Sequence, residues 1–196
     1  EHICTKPDGT AVTAEEAKLL KIYELTYDEI KGYDCGLRGN SRFPKQQPLA
    51  VHKPSLRDMV KAAAARARKL QRPLPYYDIE IKSQPDYYGI FTPAPDQFVA
   101  LLLEELQTLQ LLDRVTLQSF DPQVLEEINK QKPGIATSQL IDNVDAFSVN
   151  RQRLSFKPAI YSPYFEVVTR QLVEEVHAQG IRLIPWTVNE VSDMRR

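Results

Sequence analysis

From Ser55 onward, short β-branched runs alternate with amphipathic stretches every ~25–35 residues. That alternation constrains the fold more than any other feature. Strands joined through helices pair in parallel, because a parallel pair needs a crossover longer than a hairpin can supply. A hydroxyl–carboxylate capping box from Ser55 to Asp58 opens an Ala-rich helix to about Gln71. The run from Tyr77 to Lys82 alternates as a strand does, and Asp96 to Leu112 carries a broad apolar stripe. Arg114 to Phe120 reads as a strand, followed by Asp121 as N-cap and Pro122 as first residue of a helix to about Gln131. Gly134–Leu140 and Ala159–Ser162 are further strands. Tyr164–Gln179 reads as a helix stopped by Gly180, and Ile181–Val188 as a last strand weakened by Pro185.

An open doubly wound sheet usually carries a Gly-rich turn at its first helix, and neither GxGxxG nor a Walker loop occurs. A (β/α) barrel fits better, although a whole one takes ~250 residues and eight strands. Four or five strands are legible here. The expectation is an α/β chain: an incomplete TIM (β/α) barrel over residues 55–196, with a small, mainly irregular and helical insertion over residues 1–54. In that first region, capping boxes at Thr13–Glu16 and Thr26–Glu29 each start a short helix, the second running to Gly32. Both ends of the chain read as cut: it opens on Glu1 and His2, and it stops at Arg196 in a charged helical stretch.

With 25 Lys+Arg against 26 Asp+Glu, the net charge is -1, which disfavours nucleic-acid or membrane-surface binding by bulk electrostatics. No apolar run approaches the ~18 residues of a membrane span. Cys4 and Cys35 are consistent with a disulfide or with two thiols. His2, His52 and His177 are the only histidines, so a multi-histidine metal site is not expected.

Glu80 and Lys82 are the most informative pair. Two apart on a strand, they leave one face while Ile79 and Ile81 leave the other. If the isoleucines meet outer helices, the charged pair enters the barrel interior, where charges must pair or hold a cation or a phosphate. A structural ion pair and a hard-cation ligand beside a phosphate-binding lysine are both open. Phe120 and Trp186 lie at strand C-termini, the end where barrel enzymes keep their chemistry, although either could be core. Asp121 reads as an N-cap. His177 suits a helix C-terminus, His52 a surface loop, and Ser119 lacks the partners of a hydrolase triad.

These residues fall in segments that, taken in order, resemble the glycerophosphodiester phosphodiesterase family. They are I-E-I-K (79–82), Q-S-F-D-P (118–122), S-P-Y (162–164) and H-A-Q-G-I-R-L-I-P-W-T-V-N (177–189). Upstream, C-T-K-P-D-G-T (4–10), L-T-Y-D-E-I (25–30) and Y-D-C-G (33–36) resemble the insertion that follows the third barrel strand in this family. The resemblance implies a barrel enzyme that hydrolyses glycerophosphodiesters to an alcohol and glycerol 3-phosphate with a divalent cation, Ca or Mg. It implies Glu80 as a metal ligand, Lys82 beside the substrate phosphate, and Phe120 and Trp186 as walls of the site.

The family's H-R-G, E-x-D and H-D motifs do not occur in this sequence. General acid–base catalysis needs both motif histidines, so no catalytic residue is assigned and the histidines are expected upstream of Glu1. The leading expectation is therefore the larger part of such an enzyme, inactive as it stands. The alternative is a non-catalytic binding or regulatory remnant of the same barrel, and a related barrel phospholipase or sphingomyelinase ranks behind both. The partner is a small-molecule glycerophosphodiester, with no nucleic acid and no transmembrane segment. A periplasmic or exported location in a bacterium fits the resemblance.

Overall fold

The computed structural model describes residues 3–195, so His2 and the chain's two terminal residues lie outside the described residues. The chain forms two compact units, Glu1–Leu74 and Pro75–Arg196. The division falls after the Ala-rich helix, later than the 54/55 boundary expected from pattern.

The first unit is helical and sparsely packed. Thr13 caps α1 (Ala14–Leu19) and Thr26 caps α2 (Tyr27–Lys31), each through a complete capping box with Glu16 or Glu29. Ser55 caps α3 (Leu56–Lys69) by accepting from the Asp58 backbone N–H. The reciprocal half of that box is supplied differently. The Tyr27 hydroxyl donates to Asp58 Oδ2 at 2.7 Å and accepts from the Ser55 N–H at 2.9 Å, so a side chain of α2 completes the cap of α3. Val12 and Val60 are the buried apolar residues among the unit's described residues. So thin a core needs a covalent staple. It has one: Cys4 and Cys35 form a disulfide. Its sequence separation of 31 corresponds to about 3–4 kcal/mol of lost denatured-state entropy.

The second unit is a parallel five-stranded sheet in sequential order. Its strands are β1 (Tyr77–Glu80), β2 (Val115–Ser119), β3 (Ala136–Ile141), β4 (Ile160–Pro163) and β5 (Arg182–Leu183). Helices α4 (Pro95–Thr108), α5 (Pro122–Gln131) and α7 (Arg170–Ala178) make the crossovers, with a short α6 (Phe147–Arg151) after β3. A further turn of helix, α8, spans Val191–Met194. Sequential order with βαβ crossovers is barrel topology, and the sheet is not closed.

Strand β2 alternates as a one-sided strand must: Val115, Leu117 and Ser119 are buried while Thr116 and Gln118 are half-exposed. The buried face meets helices that contribute Val99 and Leu106 of α4, and Val124, Leu125 and Ile128 of α5. Strands β3 and β4 are buried on both faces, as central parallel strands are. A core of Ile141, Phe147, Tyr161, Val176 and Ile181 locks β3 and β4 to α6 and α7.

Two expectations need correction. The helix expected from Tyr164 starts only at Arg170, with Thr169 as its cap; Phe165–Val167 is instead a single 3₁₀ turn. Phe165 N–H donates to the Trp186 carbonyl at 2.8 Å, so this segment pairs with the chain beyond β5 rather than coiling. The last strand is only two residues long because Pro185 has no N–H for the ladder. Pairing resumes past it, where Trp186 N–H donates to the Pro163 carbonyl at 3.0 Å.

Candidate active site

Register places Glu80 beside Gln118, and Gln118 beside Ser138, on the sheet face opposite Leu117. Ile79 pairs with Leu117, and Ile81 is 3% exposed, so the isoleucines take the helix-facing side as their alternation requires. Glu80 and Lys82 meet on the opposite side, with Lys82 Nζ 2.8 Å from Glu80 Oε1.

The expected burial of this pair is not found. The Glu80 side chain keeps 26% of its surface exposed and that of Lys82 keeps 80%, because the open sheet leaves this face to solvent. An ion pair so exposed adds little stability. The ammonium is therefore free to exchange its carboxylate for a phosphate at small cost.

Phe120 and Trp186 come together at the strand ends. Their ring centroids lie 5.4 Å apart, edge to face. Tyr164 packs on the other side of the indole at 5.4 Å, and the indole N–H donates to the Ser162 carbonyl at 3.0 Å. Tyr164 was missed as a wall residue because the apolar pattern after it suggested helix. Its signal was its place directly after β4, where S-P-Y ends.

Behind this rim, on the helix-facing side, lies a polar knot that no motif announces. Asp121, 2% exposed, caps α5 by accepting from Gln123 N–H at 3.0 Å. Its other oxygen accepts from Tyr88 OH at 2.6 Å and from Ser83 Oγ at 3.0 Å. Ser119 Oγ donates to the Ile81 carbonyl at 2.8 Å and accepts from Asp121 N–H at 3.1 Å. Burial, then the hydrogen bond to Asp121, pushes the Tyr88 phenol above the usual tyrosine range.

No three His, Cys, Asp or Glu side chains gather as a metal site among the described residues. The Glu80 carboxylate already holds an ammonium. These residues do not make a divalent-cation site by themselves. His177 sits in the last turn of α7 and is exposed, and His52 packs edge-on against Tyr27 in the first unit. Neither joins the rim.

A parallel sheet with helical crossovers, carrying a cation and an aromatic cluster at its strand C-termini, defines a (β/α)-barrel-type protein with a rim site. Residues 5–196 match the model of the glycerophosphoryl diester phosphodiesterase family, and the chain belongs to that family. A glycerophosphodiester phosphodiesterase of Bacillus subtilis is 24% identical over 96% of this chain and 66% of its own length. Its counterpart in Caldanaerobacter subterraneus is 23% identical over 89% of this chain and 64% of its own. The chain thus spans about two thirds of the curated relatives it matches. A solved structure from Silicibacter pomeroyi, assigned to the same enzymes, superposes with a TM-score of 0.78 at 28% identity, over all of this chain and 67% of its own. An Oleispira antarctica phosphodiesterase, solved with its product sn-glycerol-3-phosphate, shares the fold with a TM-score of 0.63 at 18% identity, over 88% of this chain and 62% of its own.

Proposed function

We propose that the rim of Lys82, Phe120, Tyr164 and Trp186 receives a glycerophosphodiester, whose hydrolysis to an alcohol and glycerol 3-phosphate is the activity this part of the enzyme serves. The observation that carries the reading is the aromatic cluster of Phe120, Trp186 and Tyr164 at the same strand ends as Lys82. Lys82 supplies a point charge to the phosphoryl oxygens, and the rings give the glycerol carbons an apolar wall. Glu80 holds Lys82 in place until the phosphate arrives. It offers one carboxylate to a cation and no more, so no step is assigned to a metal. The histidine motifs that would move protons are absent from the sequence, and the 196-residue chain is proposed to bind without turning over. The disulfide supports an oxidising compartment as its place of work.

Trp186 is the chain's one tryptophan, so intrinsic fluorescence reports on the proposed site directly. Titration with sn-glycerol 3-phosphate is expected to shift its emission. Lys82→Ala is expected to weaken binding about tenfold or more, the value of a charge-assisted hydrogen bond. An emission unmoved by saturating glycerol 3-phosphate, together with no heat in calorimetry, would overturn the reading. Release of glycerol 3-phosphate from a diester by this chain with Mg or Ca would overturn its inactivity.

A further inference from the structure

We propose that the loop between β1 and α4 is the subsite for the alcohol half of the diester, and that it favours alcohols bearing a quaternary ammonium group. The inference rests on the phosphodiester reading above and names its substrate class. Residues 83–94 leave β1 directly after Lys82, so a phosphate held by that lysine presents its ester substituents where this loop begins.

The loop turns apolar side chains outward. Tyr87 is 37% exposed, Ile90 47% and Phe91 44%, three large apolar residues within five positions. The Tyr87 and Phe91 rings touch edge to face at 5.2 Å. Such a cluster at a strand C-terminus has no packing role to explain its exposure.

The loop is also rigid. Tyr87 O accepts from the N–H groups of Ile90, Phe91 and Thr92 at 3.0, 2.9 and 3.1 Å. Gly89 takes a φ of 72°, which a side chain would strain, and its N–H donates to Thr92 O at 2.7 Å. Tyr88 points the other way, and its hydroxyl is anchored on the buried Asp121. The inward tyrosine fixes the outward pair, so little ordering remains to be done when a ligand arrives.

The chemistry of the loop selects the charge. Asp86 is its one ionisable acid, and it holds no Lys, Arg or His. Aromatic rings beside a carboxylate attract an ammonium, and a quaternary one keeps its charge while giving up little hydration. A neutral alcohol gains only the apolar contact.

The test compares three ligands on the 196-residue chain, read by Trp186 fluorescence and calorimetry: sn-glycerol 3-phosphate, glycerophosphocholine and glycerophosphoglycerol. The expected result is that the choline diester binds about three- to tenfold more tightly than the glycerol diester, the span of one or two cation–π contacts. In Tyr87→Ala/Phe91→Ala the ratio of the two affinities is expected to fall to about one. Asp86→Asn, which keeps both rings, is expected to reduce it in part. Equal affinities in the wild type would overturn this inference and leave the phosphodiester reading standing. A preference that survives the double substitution would overturn it as well. If none of the three ligands binds, the phosphodiester reading falls and this one with it.

Discussion

Asp121 shows how much one side chain can carry at this strand end. Its sequence neighbours disclose an N-cap, since it precedes Pro122 and an amphipathic run, and the cap is present. They do not disclose the second oxygen, whose donors Ser83 and Tyr88 stand 38 and 33 residues away. Removing the carboxylate leaves two hydroxyls short of an acceptor in a buried place, and an uncapped α5. Asp121→Ala is expected to destabilise the chain by about 2–4 kcal/mol in urea titration. A loss near zero would mean the knot is idle. Tyr88 gives the same site a pH signature. A folded-state pKa raised above the ordinary tyrosine value contributes stability that is complete below pH 10 and is lost as pH climbs toward the folded value. The melting temperature of wild type is expected to fall more steeply above pH 10 than that of Tyr88→Phe. Parallel slopes would remove Tyr88 as the cause.

Among the elements, strands were easier to read than their neighbours. Alternation in Val115–Ser119 gave the right strand and the right face, and the phase of Ile79 and Ile81 put Glu80 and Lys82 together on the other side. The exposure of that pair was not legible, because it depends on what covers the sheet face and not on the strand's own residues. The start of α7 was misplaced for a related reason. Phe165 and Val168 continue the helical apolar spacing, but pairing with Trp186 outweighs propensity there. The caps were legible in full at Thr13 and Thr26, where reciprocal hydrogen bonds involve only near neighbours. That at Ser55 was half legible, because Tyr27 supplies the rest. The Thr13 box carries a testable charge. A hydrogen bond from Lys6, then those from Thr13, bring Glu16 down to about 2 from 4.5. A lowered carboxylate stabilises the folded form above its unfolded value and loses that contribution as pH falls through the folded one. Helix signal from the first unit is expected to decline between pH 4.5 and 2, and Glu16→Gln is expected to flatten that decline. An unchanged acid profile in the variant would place the sensitivity elsewhere.

At the scale of the molecule, the governing fact is a parallel sheet that does not close. Strands β1 and β5 each pair on one side only among the described residues, so backbone N–H and C=O groups stand unpaired along both edges. The face bearing Glu80 and Gln118 is covered by no helix of this unit. Closed barrels avoid both exposures, whereas an open parallel sheet with apolar residues such as Ile184 at 48% exposure offers a template to any other chain. The two edges differ in length. Four β1 residues pair with β2, whereas β5 contributes two beside Pro185, so β1 is the stronger template and contact between copies is expected there first. The purified chain is thus expected to self-associate with rising concentration, and sedimentation velocity measures this directly. Asp78→Pro, which removes a backbone donor at the β1 edge, is expected to lower the association constant more than the same change at Arg182. A single monomeric species at every concentration, melting sharply and reversibly, would show that the open sheet protects its own edges. The binding titrations therefore belong at the lowest protein concentration that Trp186 fluorescence allows, where a rim occupied by a second copy is not mistaken for one that rejects its ligand.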